Sequence, residues 1–353
     1  MTSHAQINRR TVLAMGGIAI ASPSIAHAAS QAAWDLVVSK SGRPGTVASI
    51  MAAVDRARTA ARPFRIFVEA GVYVEKPRID VPDLHVEGEG TGSVISFDAA
   101  AGLRDAQGKP WGTGGSATLT ITAPGVTLAN LTIRNGFDYL DNLRTGAVDG
   151  AQAVALSLAR GSDRSIVRRC TIEGYQDTLY VQENGHALFA DCLISGCVDF
   201  IFGGAAALFD RCEIRSRAVP DALSGFIAAP STPITQPIGL VFDHCRLTRE
   251  DGVPDGSIYL GRPWRAGGNM QLTGAAVFLD CWMDAHIQHE GWTSMGYRGA
   301  DGTRRQLTPQ EARLFESGSS GPGAKGPSPT RRLLSMEQAA ALATTIRRIT
   351  PAR

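Results

Sequence analysis

Short stretches in which apolar and polar residues alternate recur through the middle of the chain. Five of them carry a cysteine at the same place, at Cys170, Cys192, Cys212, Cys245 and Cys281, so that successive cysteines are 22, 20, 33 and 36 residues apart. An earlier copy, VTLANLTI, is predicted to have Asn130 at the cysteine position. Alternation predicts short β-strands. A strand pattern that returns at this spacing predicts the rungs of a solenoid.

The repeat favours an all-β fold, a single-stranded parallel β-helix. A leucine-rich repeat has a similar length, but its leucine and asparagine consensus is missing here. The longer spacings then mark rungs with inserted loops, or two rungs of which one is unrecognised. Helical periodicity occurs near the two ends, over 46–60 and over 333–349, and a Gly-, Ser- and Pro-rich loop from about 317 precedes the second helix. We expect Thr46 to be the N-cap of the first helix, which would cover the open end of the sheets.

The composition agrees with such a fold and excludes two other classes of protein. Of the 353 residues, 39 are glycine and only 7% are aromatic, which indicates many tight turns. Hydrophobic residues make up 44% and charged residues 19%, so the chain can bury a large core and is not disordered. The formal net charge of +2 lacks the basic excess of a nucleic-acid-binding protein. Six cysteines without a CxxC pair provide no zinc motif.

Residues 1–28 have the pattern of an export signal. Two adjacent arginines precede an apolar stretch that is too short to span a membrane, and Ala26 to Ala28 match an A-x-A cleavage site. The paired arginines resemble a twin-arginine signal, with an ordinary secretory signal as the alternative. We expect an exported protein, periplasmic or extracellular, with a single domain over 29–353. No other apolar run reaches about 18 residues, so we expect no membrane association after the signal is removed.

Stacked rungs would bring their cysteines close together. Parallel strands lie about 4.8 Å apart, which is close to the Cα separation of a disulfide, and export permits disulfides. Cys192 and Cys212 are the favoured pair because nothing is inserted between their rungs. Cys170 with Cys192 is nearly as good on spacing alone. The alternative is a column of reduced, buried thiols that act as small hydrophobic side chains.

Two aspartates repeat with the same period as the cysteines. Asp177 lies seven residues after Cys170 and Asp199 seven residues after Cys192. Stacking predicts that the two carboxylates lie on adjacent strands, with Gln152 in the same column one rung earlier and Gln176 beside it. Two close carboxylates cannot both ionise cheaply. One is therefore expected to remain a protonated acid, and the other an ionised nucleophile or base.

Arg262, in the segment YLGRPW, is the candidate that decides which carboxylate is ionised. Gly261 and Pro263 restrict the local backbone, and Trp264 supplies a flat apolar surface. The alternative is a chemically idle polar ladder on the solenoid, satisfied by neighbouring amides.

The chain resembles the pectin methylesterases, carbohydrate esterases with a right-handed parallel β-helix. Five motifs occur in the family's order: GSAT at 115–118, QAVAL at 152–156, GYQDTLY at 174–180, DFIFG at 199–203 and LGRPW at 260–264. Weaker similarity extends from about residue 36 to 323. The segments NLTIRNGFD at 130–138 and APST at 229–232 are most similar to bacterial secreted members.

The resemblance implies a role for each matched residue. Asp199 corresponds to the nucleophile that attacks a galacturonate methyl ester. Asp177 corresponds to the general acid that protonates methanol and then activates water. Gln176 is implied to stabilise the oxyanion, and Gln152 to contact the substrate and the intermediate. Arg262 is implied to hold the nucleophile ionised.

The resemblance also implies partners and further contacts. Substrate contacts are implied for Thr118, Gln152, Phe202, Arg262, Trp264 and Met295. The positions of Cys192 and Cys212 are bridged in bacterial relatives, which favours that disulfide. The family needs no metal and no other cofactor. The expected partner is methyl-esterified pectin, bound by a monomer.

Three other interpretations remain open on the sequence. A family member that acts on another ester or thioester is disfavoured by the intact Phe202 and Arg262. Pectate lyases and polygalacturonases share the β-helix, but the sequence has neither the acidic calcium clusters of the first nor the further clustered aspartates of the second. A non-catalytic polysaccharide-binding solenoid would be expected to have lost Asp177, Asp199 or Arg262, and it has lost none of them.

Overall fold

The chain folds into stacked rungs of parallel strands. The computed structural model describes residues 34–60, 62–183, 185–220 and 224–350. Within these ranges three long parallel sheets run side by side, and every rung contributes strands to them in turn. The predicted parallel β-helix is confirmed. Residues 1–28, the predicted export signal, lie outside the described residues.

Each sheet contains one strand from most of the rungs, so its strands follow the order of the rungs in space. Among the described residues, the first sheet consists of β2 (Thr46–Val47), β1 (Leu36–Val38), β3 (Arg65–Val68), β6 (His85–Gly88), β9 (Thr127–Ala129), β12 (Ser165–Arg168), β15 (His186–Ala190), β18 (Ala206–Asp210), β21 (Leu240–Asp243), β24 (Ala275–Leu279) and β28 (Arg313–Ser317). The second consists of β4 (Gly71–Val74), β7 (Ser93–Phe97), β10 (Thr132–Asn135), β13 (Thr171–Glu173), β16 (Leu193–Gly196), β19 (Glu213–Ser216), β22 (Arg246–Arg249) and β25 (Trp282–Met283). The third consists of β5 (Arg78–Ile79), β8 (Leu119–Ile121), β11 (Leu156–Leu158), β14 (Leu179–Val181), β17 (Ile201–Gly203), β20 (Gly225–Pro230) and β23 (Ile258–Gly261).

The remaining regular elements are an antiparallel hairpin and short helices. The hairpin pairs β26 (Met295–Arg298) with β27 (Arg304–Leu307). Within the described part of the chain, the α-helices are α1 (Ile50–Ala60), α2 (Gly112–Gly115), α3 (Tyr139–Thr145) and α4 (Met336–Ile349), and two 3₁₀ turns cover Ala266–Gly268 and Pro309–Glu311.

A single residue in the left-handed backbone region makes the turn from the first sheet to the second. Arg169, Asp191 and Arg211 each have φ near +50° and directly precede a cysteine. Asn130 has φ 52° and occupies this turn position. It is therefore Leu131, not Asn130, that corresponds to the cysteines, and the predicted alignment of this rung is wrong by one residue. The pairing of Thr132 with Thr171 confirms the shift.

The five repeated cysteines form a buried column of free thiols. Cys192 donates to the carbonyl oxygen of Val167, and Cys212 donates to that of Phe189, each at 3.4 Å from Sγ. Each acceptor belongs to the preceding rung. The predicted disulfide between Cys192 and Cys212 is absent from this structure, and the alternative of a reduced column is present. Burial raises the pKa of both thiols well above the usual range, which disfavours the reactive thiolate.

Aromatic rings reinforce the interior beside this column. Phe189, Phe209, Phe242 and Phe278 stack face to face across four successive rungs, with centroid distances of 4.3–4.8 Å. All four are fully buried. Because each phenylalanine lies three residues before a cysteine, the period that aligns the thiols also aligns the rings.

Helices lie at both ends, as predicted, but the first begins later than expected. Thr46 belongs to β2 and does not cap α1. The hydroxyl of Ser49 accepts from the amide of Ala52, and the Glu75 carboxylate accepts from the first two amides of the helix. A carboxylate at a helix N-terminus satisfies unpaired N–H groups and opposes the helix dipole. This contact comes from a neighbouring rung, which the local pattern does not reveal.

A buried ion pair anchors the loop that precedes α4. The guanidinium of Arg331, with no exposed side-chain surface, donates through Nε and Nη2 to the two oxygens of Glu316 at 2.8 Å each. It also donates to the carbonyl oxygens of Gln288, His289 and Gly323. Arg331 thus fastens the C-terminal loop to the last rungs.

Arg331→Met is expected to lower the free energy of unfolding by about 3–5 kcal/mol, because it leaves the Glu316 carboxylate buried without its partner. Burial raises the pKa of Glu316 and Arg331 opposes this rise. Without Arg331 the folded-state pKa of Glu316 rises further, so the loss of stability relative to the wild type should grow as pH rises through the already raised pKa that Glu316 has in the wild type. Denaturant unfolding at several pH values measures it. The double variant Arg331→Met/Glu316→Gln should regain most of the stability, and an equally unstable double variant would contradict the ion-pair explanation.

Candidate active site

Asp177 and Asp199 lie side by side on adjacent rungs. Each stands two residues before a strand of the third sheet, and these strands pair with Leu179 opposite Ile201. The 22-residue spacing of that pair equals the spacing of the aspartates, so the two stack as predicted. Both aspartates have left-handed backbone conformations, with φ of 63° and 49°. Aspartate tolerates this region better than most residues.

Arg262 makes a two-pronged ion pair with Asp199. Its Nε donates to one carboxylate oxygen at 2.9 Å and its Nη2 donates to the other at 2.7 Å. Arg262 follows the last residue of β23, and its own amide donates to the carbonyl of Ala228. The Asp199 side chain is 10% exposed and that of Arg262 is 24% exposed. The pair is therefore poorly solvated, and its charge-assisted hydrogen bonds are correspondingly strong.

The two carboxyl groups differ in their surroundings. Burial raises the pKa of Asp177 well above its usual value, and the negative charge of Asp199 raises it further, against a weaker opposing effect of Arg262. Burial also raises the pKa of Asp199, but the direct hydrogen bonds and the charge of Arg262 oppose this rise. Asp177 has the higher pKa of the two. This difference favours a proton on Asp177 and the ionised form of Asp199, the carboxylate that Arg262 contacts.

The two glutamines lie on neighbouring rungs, but only one has the predicted register. Gln176 directly precedes Asp177. Its backbone forms a parallel β-bridge with Val198, the residue before Asp199. Gln152 does not lie in the aspartate column, because β11 pairs with β14 at a spacing of 23 residues and the column requires 25. The amide of Ala153 donates to the carbonyl of Gln176 at 3.0 Å. Gln152 thus lies beside the backbone that leads into Asp177.

An aromatic wall runs along the outer face of the third sheet. Phe202 stacks on Tyr180 with a centroid distance of 4.3 Å, and its other neighbour is Trp264 at 5.9 Å. These rings pack with Ala117, Val154 and Ala229 in a cluster separate from the interior core. Met295 begins β26, two residues after Thr293, whose amide donates to Gly261 next to Arg262. Phe202 is itself buried, whereas Tyr180 and Trp264 on either side of it are half-buried. A half-buried ring beside charged groups suits a sugar ring, which has apolar C–H faces and a polar rim.

The resemblance implies a substrate contact for Thr118, whose side chain lies in the interior. It is fully buried. Its hydroxyl lies 2.9 Å from the carbonyl oxygen of Arg134 and 3.2 Å from that of Phe97, and donates to this pair of carbonyls. The side chain therefore links rungs and does not face the cleft.

A cavity of about 960 Å³ adjoins the catalytic rungs. Its floor includes Cys197 and Val198, which directly precede Asp199, and one wall is the first turn of α3 with Tyr139. Tyr139 stacks on Tyr175 with a centroid distance of 5.3 Å. The guanidinium carbon Cζ of Arg217 lies 3.8 Å from the centroid of the Tyr175 ring. No repeat motif predicts this cavity. The only signal is the 39-residue interval between Thr132 and Thr171, which indicates an insertion.

One group of potential metal ligands occurs among the described residues, and it lies on the first sheet. It comprises Asp243, His244 and Asp280. Asp243 accepts from Arg347 of α4 and lies 2.6 Å from the His244 ring nitrogen. Arg347 already balances the negative charge of the buried Asp243 carboxylate. The ion pair therefore connects α4 to the solenoid.

The fold and the paired carboxyl groups define a β-helix carboxylic ester hydrolase. The chain belongs to the pectinesterase family, whose model matches residues 35–312. It is 40% identical over 341 residues to pectinesterase A of Dickeya dadantii strain 3937, covering 91% of this chain and 92% of the relative. It is 34% identical to a putative pectinesterase/pectinesterase inhibitor of Arabidopsis thaliana, over 73% of this chain and 51% of that protein.

Solved structures agree with the family assignment. A pectin methylesterase in complex with a hexasaccharide superposes with a TM-score of 0.86 at 38% identity, covering 91% of this chain and 99% of the other. Pectin methylesterase PemA from Erwinia chrysanthemi superposes with a TM-score of 0.83 at 40% identity, covering 87% and 94%. Within the described residues, no helix has both the length and the apolar character needed to cross a membrane.

Proposed function

We propose that this protein hydrolyses the methyl esters of galacturonate units in pectin, releasing methanol and leaving free carboxylates. The observation that carries the proposal is the two-pronged ion pair of Arg262 with Asp199, on the rung next to Asp177, whose pKa is raised by burial and by the charge of Asp199. A buried nucleophile with an acid beside it suits ester cleavage. The related enzyme with a bound hexasaccharide supports an oligosaccharide substrate.

In the first half of the reaction, an Asp199 carboxylate oxygen attacks the ester carbonyl carbon. The carbonyl oxygen becomes an oxyanion, which Gln176 stabilises by donating from its amide, with Gln152 contacting the same intermediate. When the intermediate collapses, the bond from carbon to methoxy oxygen breaks and Asp177 gives its proton to that oxygen. Methanol leaves, and an acid anhydride joins Asp199 to the sugar.

In the second half, Asp177 is ionised and acts as the base. It takes a proton from a water molecule, whose oxygen attacks the anhydride. The bond from the carbonyl carbon to the Asp199 oxygen breaks, Asp199 is regenerated as a carboxylate, and Asp177 again carries a proton. The product leaves as the free acid and gives its proton to solvent, which leaves a galacturonate carboxylate. Arg262 balances the negative charge of Asp199 at the start and the end of the cycle.

The aromatic wall and the cavity provide room for the polysaccharide. Trp264, which is half-buried, offers its ring to the sugar at the reacting position, Phe202 packs behind it, and Met295 extends this surface. The cavity of about 960 Å³ lies within the size range of ligand sites. It is placed to take the neighbouring sugar units of the chain.

The remaining features of the proposal concern where and in what form the enzyme acts. Residues 1–28 direct export by the twin-arginine route to the periplasm or beyond, and residues 29–353 act as one catalytic domain. Removal of the signal leaves 33 basic and 33 acidic residues, because the signal contains two arginines and no acidic residue. A neutral monomer suits a substrate whose carboxylates are masked as esters and gives no attraction for nucleic acid.

The assay that tests this function uses the mature protein and highly methyl-esterified pectin. Methanol should accumulate in step with acid release, without new reducing ends and without unsaturated products. Fully de-esterified polygalacturonate, as the control substrate, should yield no methanol. Unsaturated ends would instead indicate a lyase, and new reducing ends a polygalacturonase. Folded protein that binds pectin without releasing methanol would be a non-catalytic binding solenoid.

A further inference from the structure

Phe226 occupies an unusual place beside the catalytic ion pair. It stands two residues before Ala228, which pairs with Ile201, just as Asp199 stands two residues before Ile201. An aromatic ring thus follows the two aspartates on the next rung. The amide of Phe226 donates to the carbonyl of Cys197, so its backbone is tied to the segment that carries Asp199.

The guanidinium of Arg262 lies over the ring of Phe226. The Arg262 Cζ is 3.8 Å from the ring centroid. On its other side Phe226 stacks on Tyr259 at 5.6 Å, with the rings 9° from parallel. The guanidinium is therefore held in two directions: the carboxylate of Asp199 fixes its edge, and the ring fixes its face.

We propose that Phe226 is a positioning residue for catalysis, which holds the guanidinium plane of Arg262 in line with the carboxylate of Asp199. The inference rests on the proposed function, in which Asp199 is the nucleophile. A cation over an aromatic face is attracted by the ring electrons, and more strongly so when water is excluded. Without the ring, Arg262 can tilt and admit water, and one of its two hydrogen bonds to Asp199 is lost.

The consequence is a change in the ionisation of Asp199. The charged groups that act on this pair are Arg262 and Asp177, and Tyr139, Tyr180 and Cys197 are close enough to Asp177 to be affected by its charge. Tyr139, Tyr180 and Cys197 are not cations, so none of them can replace the positive charge of Arg262. Weaker hydrogen bonds from Arg262 to the Asp199 carboxylate therefore raise the pKa of Asp199.

The test compares Phe226→Leu with Phe226→Tyr and with the control Tyr259→Leu. Phe226→Leu should lower kcat about tenfold with little change in KM, and the acidic limb of the pH–rate profile should move to higher pH. Phe226→Tyr keeps the ring and should behave like the wild type. Tyr259→Leu removes a ring that stacks on Phe226 and not on Arg262, and should leave the profile in place.

A direct titration separates this inference from the proposed function. Carbon-13 NMR of labelled protein, with the Asp199 signal identified by its loss in Asp199→Asn, measures the pKa of that carboxyl without any substrate. A raised pKa in Phe226→Leu alone supports the positioning role even if the wild type releases no methanol. An unchanged pKa, or an equal rise in Phe226→Tyr or Tyr259→Leu, would overturn it even in an active enzyme.

Discussion

Asp199→Asn should abolish methanol release, with a fall of at least about 10⁴-fold in kcat, because a neutral amide cannot replace the attacking carboxylate. Asparagine has nearly the same shape and tolerates the left-handed backbone of this position. The fold should therefore persist. Arg262 loses its partner but is partly exposed and can be hydrated. Methanol release and thermal unfolding, measured on the same preparation, check both parts.

Asp83→Asn is the matched control for this variant. Asp83 has the same residue type, a left-handed φ of 55° and a position just before a strand, but it lies exposed on the first sheet. Its substitution should leave methanol release unchanged. If Asp199→Asn retained more than a trace of the wild-type rate in a folded protein, Asp199 would not be the nucleophile.

Asp177→Asn should lower the rate of methanol release by about 10²–10⁴-fold, the usual contribution of a general acid and base. In the wild type, activity requires Asp199 ionised and Asp177 protonated. The raised pKa of Asp177 therefore sets the alkaline limb of the pH–rate profile, and activity falls as pH rises through it. The variant should lack this limb, because asparagine does not titrate. The pH dependence of kcat measures the change.

The leaving group provides a sharper test of the role of Asp177. Phenolate departs without a proton, whereas methoxide needs one. With a phenyl ester of an oligogalacturonate, Asp177→Asn should release one equivalent of phenol rapidly and then stall, since the anhydride still needs a base to activate water. Hydroxylamine should trap that anhydride. Equal slowing of the first turnover on phenyl and methyl esters would rule out the acid role.

The stacking register of neighbouring rungs was the feature of the molecule that the sequence predicted best. The 22-residue interval that relates Cys170 to Cys192 also relates Asp177 to Asp199, and the structure pairs the strands between them at that interval. In a solenoid, uninterrupted rungs stack in register, so equal spacing along the chain becomes proximity in space. The prediction failed for Gln152, because β11 pairs with β14 at a spacing of 23 residues, two fewer than the aspartate column requires.

Side-chain direction was the least predictable part. Thr118 lies within a family motif, yet its hydroxyl is used by two backbone carbonyls in the interior. Cys192 and Cys212 have the spacing of a bridge but are free thiols. A motif specifies which residue occupies a position, whereas packing against the next rung decides which way the side chain turns and what it bonds.

By itself, the sequence determined the β-helix, the adjacency of the two aspartates and the nature of the chemistry they can perform, because a repeat of strands encodes its own stacking. The resemblance already implied the choice of Asp177 as the acid and Asp199 as the ionised carboxylate, whereas only the tertiary structure shows the contacts behind it. That choice depends on Arg262, 63 residues beyond Asp199, and on the Phe226 ring against it. Local periodicity cannot specify this contact, since the loops between these rungs differ in length and their path sets where the arginine lies.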